Sequence, residues 1–277
     1  MTMPVEDNED GLRYGSAPAR RARLHQMVED QGFCTIAELS RELTVSEMTV
    51  RRDVQRLVRD GRLRSVHGGV SALPQSDLVG SQFSSRAVQL GPQKRAIALE
   101  AATMVPASGA VGLDSGTTTL ELARTWPSER QATVMTNSIP NLLALYDDDH
   151  TRVMVLGGQF ERRSQSLSGP MSLRSVEDMR LSVMFLSASS LSSRGVYCAN
   201  DYDAVTKRAL IEIADRVVLL SDSTKFEGSA MVRVCGFDAI DAAVMDDGIS
   251  TEHAQMLRDH GIDLRLVHAA AESEETV

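Results

Sequence analysis

The segment Leu113-Asp114-Ser115-Gly116-Thr117-Thr118-Thr119 gathers a carboxylate, four hydroxyls and a glycine into seven residues. Set between a strand and a helix, such a loop aims backbone N–H groups and hydroxyls at one point, beside the positive end of the helix dipole, which suits a phosphate. A plain strand-to-helix turn, with the glycine relieving the geometry and a threonine capping the helix, accounts for the same residues. Three further loops follow apolar runs: Asn137-Ser138, Gly157-Gly158, and Asp222-Ser223-Thr224-Lys225. The last supplies a cation and a carboxylate. In an open parallel sheet, ligands bind outside the carboxyl ends of the strands, so the four loops converge on one rim.

A second group of residues suits a different chemistry. In Ser46–Asp60, Val50, Val54, Leu57 and Val58 form one apolar face at 100° per residue, and Met48, Thr49, Arg52, Gln55, Arg56 and Arg59 collect on the other, with Arg51 at the flank. Short polar residues at a helix start can approach base edges, while arginines engage guanine or phosphate. Arginine-rich faces are commonly just solvated. Here the elements around the helix argue for DNA. Leu24, Met27 and Val28 recur at helical spacing before Gly32, and Thr35-Ile36-Ala37-Glu38 matches a capping box that starts a second helix. Thr44 and Val45 make a tight turn, Ser46 caps the third helix, Gly61 stops it, and Arg62–Val70 reads as a small β wing. This is the plan of a winged helix-turn-helix.

The elements that must position the rim follow from apolar runs. Strands are predicted at Ala110–Leu113, Thr133–Thr136, Arg152–Leu156, Leu181–Leu186, Arg216–Leu220, Ala242–Met245 and Asp263–Val267. Helical stretches lie between them at Lys94–Met104, Thr118–Arg124, Ile139–Leu145, Ala204–Ala214 and Thr251–His260. Short buried strands alternating with helices predict an open, largely parallel α/β domain. The fold class is therefore α/β behind an N-terminal winged helix-turn-helix. The predicted division is a disordered tail (1–18), the DNA-binding domain (19–75), a linker with room for one short helix (76–92), the α/β domain (93–268) and an acidic tail (269–277).

Charge distribution supports the division. The net charge is −9, yet Ala19–Val70 holds ten arginines against seven acids, a balance of +3, while the remainder stands at −12. A basic module on an acidic body indicates a nucleic-acid contact. Cys34, Cys198 and Cys235 form no C-x-x-C spacing, which argues against a disulfide framework and a cysteine zinc site. No metal site and no cofactor are expected. No apolar run approaches the ~20 residues of a membrane span, and the acidic, polar start predicts a cytoplasmic protein.

Val45-Ser46-Glu47-Met48-Thr49-Val50-Arg51-Arg52-Asp53-Val54 resembles the signature helix of the DeoR family of bacterial transcription regulators, and Gly61–Gly69 resembles the family's wing. The resemblance implies a DNA surface made by Ser46, Thr49, Arg51 and Arg52, supported by Arg64 and His67. With Thr35, Met48, Gln55 and Arg56 these are the candidate DNA contacts, and His67 has no metal role. From Gln93 onward the chain resembles the family's sensor domain, which is similar to sugar-phosphate isomerases of the ribose-5-phosphate isomerase type. That likeness implies a phosphorylated metabolite surrounded by Asp114, Gly116, Thr117, Thr118, Asn137, Gly158 and Lys225. Ser115, Thr119, Ser138, Gly157 and Asp222 complete the candidate effector contacts. Asp203 and Lys207 join them, at a four-residue spacing that also suits an ordinary ion pair. Phe185–Leu191 departs from the family: it carries Ser187, Ser189 and Ser190 where a glycine-containing segment is usual.

The expected function is therefore a ligand-responsive repressor of sugar or carbohydrate genes. Its expected partners are operator DNA, a phosphorylated sugar or related effector, and one or three further copies of itself. An isomerase with a DNA-binding appendage is the alternative, with Asp114, Asp203 or Asp222 as its general base.

Overall fold

In a computed structural model, residues 17–60, 62–66, 69–72 and 83–269 are described. The chain divides into two units, Met1–Pro74 and Gln75–Val277.

The first unit holds helix α1 (Ala17–Gln31), strand β1 (Phe33–Thr35), α2 (Ile36–Glu42), α3 (Glu47–Arg59), β2 (Arg64–Val66) and β3 (Gly69–Ser71). Gly32, at φ +73°, occupies the left-handed conformation that ends α1 cheaply only in glycine. The capping box forms: Glu38 N–H donates to Thr35 Oγ1 at 3.2 Å, and Thr35 N–H donates to the Glu38 carboxylate at 2.8 Å. Ser46 caps α3 by accepting from Thr49 N–H at 3.3 Å. Leu24, Val28, Leu39, Val50, Leu57 and Val70 close one core beneath the three helices. The wing is larger than the sequence predicts. β3 lies between β1 and β2, antiparallel to both. β1 escapes sequence reading because three residues are too few to show alternation.

The second unit is built on seven parallel strands: β4 (Ser108–Leu113), β5 (Gln131–Thr136), β6 (Val153–Val155), β9 (Val183–Ser187), β12 (Val217–Ser221), β14 (Ala242–Asp246) and β15 (Asp263–Val267). Their order is β15-β14-β12-β9-β4-β5-β6, parallel at every pairing. Both faces are covered. In β12, Val217 and Leu219 join one core while Val218 and Leu220 join the other. Full burial of each such side chain contributes roughly 1.5–3 kcal/mol. From β4 the chain first proceeds outward through β5 and β6, then returns to β4's other side as β9. The β4–β9 boundary is therefore the topological switch point, where a crevice opens at the strand ends.

Helices α4 (Phe83–Val88), α5 (Gly91–Thr103), α6 (Thr117–Arg124), α7 (Ile139–Ala144), α8 (Pro170–Arg174), α9 (Asp201–Glu212) and α10 (Thr251–Asp259) connect and cover this sheet. Helix α5 starts three residues before its predicted Lys94, with Pro92 in its first turn. Two small sheets lie outside the predicted elements. They are a hairpin of β7 (Gln159–Glu161) with β8 (Ser166–Ser168), and an antiparallel set of β10 (Ser190–Ser192), β11 (Gly195–Cys198) and β13 (Val232–Cys235).

Candidate functional site

Helix α3 presents Met48 at 70% exposure, and Arg51, Arg52, Gln55, Arg56 and Arg59 are exposed with it. Arg51 lies 3.4 Å from Glu47 and Arg56 lies 3.3 Å from Asp60, loose surface pairs that a phosphate can displace. Arg52 has no ion-pair partner among the described residues. Thr35 and Ser46 are held by the two caps, and Arg64 is exposed on the wing. His67 lies outside the described residues. One residue escapes sequence reading. Asp53 is buried, and it binds Arg20 Nε at 2.6 Å with Arg21 at 3.6 Å, clamping α3 to α1. Its signal was an acid on the apolar face of α3, three residues after Val50.

In the second unit the strand ends meet around Asp114, which is fully buried. Its Oδ1 accepts from Gly116 N–H at 2.9 Å and from Thr119 Oγ1 at 2.7 Å. Its Oδ2 accepts from Ser187 N–H at 2.7 Å, from Ser187 Oγ at 2.8 Å, and from Lys207 Nζ. Burial alone would raise the Asp114 carboxyl; Lys207 and the hydrogen bonds from Ser187 and Thr119 outweigh it and hold the group below the usual carboxylate range. Lys207 therefore pairs with Asp114, 93 residues away, rather than with Asp203 on its own helix. Asp203 accepts instead from Asn200 at 3.0 Å and Ser166 at 3.3 Å.

The serine departure has a structural part in this arrangement. Ser187 ends β9 and supplies two of the five donors on Asp114. A Cβ at Gly116 would fall 1.8 Å from Ser187 Oγ, so the serine requires the glycine. Ser190 Oγ accepts from Ala230 N–H at 2.8 Å, tying β10 to the segment before β13.

The remaining rim residues divide into builders and open groups. Asn137 donates to Leu167 O at 3.0 Å and Ser138 caps α7, which fastens the β8 strand beside the crevice. Gly158, at φ +140°, lets the chain pass Ser168 O, and Gly157 O accepts from Ser172. Asn141, unremarked in the sequence, donates to Asp114 O at 2.8 Å. The open groups are more telling. Gly116 has no side chain to cap α6, so the first-turn amides of Thr117–Thr119 receive no side-chain acceptor. Asp222 Oδ2 is buried without a hydrogen bond among the described residues, 3.5 Å from Lys225 Nζ.

Two cations belong here that the sequence did not single out. Lys94 is 3% exposed, and burial together with the charge of Lys225 brings it down to about 7, against the pull of Asp222. Arg86, on α4, has a buried Nε without a hydrogen bond. Burial lowers its proton affinity, while Asp203 and Asp114 oppose that. The crevice thus offers donors without acceptors, an Asp222 oxygen that is ion-paired but not hydrogen-bonded, and several basic groups. The chemistry of such a set suits an anion that carries hydroxyls.

A winged helix with an exposed basic recognition helix, followed by an α/β unit with a cation-lined crevice, defines a DNA-binding regulator with a sensor domain. Residues 20–76 match the DeoR-like helix-turn-helix domain and residues 91–247 match the DeoR C-terminal sensor domain. The chain belongs to the DeoR family of transcriptional regulators. The glycerol-3-phosphate regulon repressor of Escherichia coli is 30% identical over 89% of this chain and 98% of its own. The L-fucose operon activator of Haemophilus influenzae is 29% identical over 86% and 95%. Ribose 5-phosphate isomerase A of Neisseria gonorrhoeae aligns with 50% of this chain and 53% of its own, at 16% identity and a TM-score of 0.37, too slight a likeness to bear on chemistry. Among the described residues no helix is long and apolar enough to cross a membrane.

Proposed function

We propose that this protein represses genes of sugar or carbohydrate metabolism and that a phosphorylated sugar, or a related metabolite, switches its hold on operator DNA. The observation that carries the reading is the set of groups at the strand ends: the uncapped α6 amides, and the Lys225–Asp222 ion pair, whose carboxylate oxygen lacks a hydrogen bond. A phosphate suits the helix start and the lysine, and a sugar hydroxyl suits the carboxylate. Asp114 has the wrong chemistry for an isomerase's base. Five donors fill its oxygens and its proton affinity is lowered.

Ser46, Met48, Thr49, Arg52 and Gln55 read base edges in this account, and Arg51, Arg56, Arg64 and His67 meet phosphates. One helix-turn-helix makes a small interface, so a homodimer or homotetramer engages paired half-sites. The relatives' names support the sugar-linked reading, since one names glycerol 3-phosphate and the other fucose. Calorimetry with a panel of triose, pentose and hexose phosphates, run alongside turnover assays on the same panel, tests the reading. Binding without turnover is expected. Turnover would return the protein to the enzymes, and light scattering that shows only monomer would remove the assembly.

A further inference from the structure

Arg86 sits on α4, the first described element after the chain leaves the DNA-binding unit at Pro74. Its guanidinium lies 5.9 Å from the Phe83 ring, one turn back, and Phe83 is itself buried. Neither Asp203 nor Asp114 forms an ion pair with it, although both act on it through their charge. Asp114 is saturated, and Asp203 is shared among Ser115, Ser166 and Asn200. Arg86 therefore lies over Phe83 within the influence of the crevice's carboxylates, and its buried Nε has no hydrogen-bond acceptor among the described residues. A buried donor without an acceptor is costly, and it gains most from an incoming anion.

Helix α4 is a short helix that buries Phe83 and Ser85 against the rest of the unit. Phe83 N–H donates to Arg163 O at 2.9 Å, and Lys94 Nζ holds the carbonyls of Arg86 and Gln89. On another side, Phe83, Ser84 and Ala87 border an open groove of about 500 Å³ that Leu120 and Leu143 line across from them. The helix thus packs inward through buried Phe83 and Ser85 and is tied by Lys94, while its Ser84 and Ala87 side has room beside it. Lys94 feels the charges of both Arg86 and Lys225, so the three cations share one region.

We propose that Arg86 clasps the effector's anionic group and that this contact fixes α4, the segment through which the effector's presence passes into the chain leading to the DNA-binding unit. The proposal rests on the effector reading of the same crevice and adds the residue that transmits it. It assigns two parts to the site. The α6 loop and Lys225 hold the ligand, while Arg86 converts holding into order at α4. An effector lacking the anionic group would occupy the rim without ordering the helix, and equal order in the free and bound forms would transmit nothing.

Hydrogen exchange on the full chain tests this, with inorganic phosphate and the sugar-phosphate panel as probes at saturating concentration. In the unaltered protein the amides of 117–121 and of 84–90 should both slow at least tenfold. In Arg86→Ala the 117–121 amides should still slow, while those of 84–90 return to within about twofold of the free protein. Arg86→Lys, which keeps the charge but not the fork, should fall between them. Slowing at 84–90 that is equal in Arg86→Ala and the unaltered protein overturns the proposal, as does slowing at 117–121 alone in the unaltered protein. In both of those outcomes the effector site stands. No slowing in either segment with any probe removes the site and this proposal together.

Discussion

The two units use cations in opposite ways. On α3 the arginines are exposed, and Arg51 and Arg56 are loosely paired with acids one turn away. At the sheet's rim, Lys94 and Lys207 are almost entirely buried and held by carbonyls or by Asp114. An exposed cation keeps its hydration until it meets DNA, so its worth depends on salt and falls evenly over many sequences. A buried cation has already lost water, so it is tied to one geometry and tuned to one ligand. The first arrangement suits a long polyanion scanned for sequence, and the second suits a small anion held in place.

The largest effect should come from breaking the buried side of that contrast. Lys207→Met leaves Asp114 charged and unpaired in the core. Removal of one partner from such a pair costs about 3–5 kcal/mol, and urea unfolding followed in the second unit should show it. A cost below about 1 kcal/mol would mean that the donors from Ser187 and Thr119 suffice without the lysine.

Next in size is the exposed side. Arg52→Ala should weaken operator binding by about 1–3 kcal/mol if its guanidinium makes a bidentate base contact. Arg51→Ala should weaken specific and random DNA alike and reduce the salt slope by about one ion. Electrophoretic titration at several salt concentrations separates them. Equal behaviour of the two variants would erase the division of labour on α3.

A smaller effect lies inside the first unit. Burial, helped by Arg62, lowers His25 to about 4, whereas the unfolded chain titrates near its ordinary 6.5. Between those values the unfolded state binds the extra proton, so stability falls as pH drops from about 6.5 to 4. Allowing for solvent screening, the loss is about 1–2 kcal/mol. It should be read from hydrogen exchange of the first unit's core amides, and His25→Gln should flatten the profile.

The smallest is a proton count. Lys94 stands near 7 because of burial and of Lys225. An anion beside it raises its affinity for a proton, so effector binding above pH 7 should take up a fraction of a proton and strengthen as pH falls toward 7. Calorimetry in buffers of different ionisation heat reads the uptake, and Lys94→Met should abolish it.

What the sequence disclosed follows from distance along the chain. The caps at Thr35 and Ser46 are three-residue contacts, and they are visible as spelling. The seven parallel strands are visible because burial on both faces makes each an apolar run. The core of the crevice is not local. Asp114 meets Ser187 across 73 residues and Lys207 across 93, and no spacing rule joins them. The loop at Asp114–Thr119 was legible as a strand-to-helix turn, but Asp114's work as an anchor was not. Arg86 was hidden for another reason. It lies on a six-residue helix in a polar stretch, where periodicity has too few turns to register. Ser187 was visible only as a departure, and its meaning needed the Gly116 backbone facing it.

The central claim, that an anion at the rim changes the grip on DNA, is tested most directly by operator affinity under titration. Full-length protein, with an operator it selects from random DNA, is titrated with each member of the sugar-phosphate panel. The account predicts that at least one member shifts operator affinity by several-fold to about a hundredfold, a coupling of ~1–3 kcal/mol. It further predicts that Lys225→Ala and Thr117→Ala keep operator binding and lose the shift. An affinity unmoved by every member, or a shift that survives both substitutions unchanged, would contradict it.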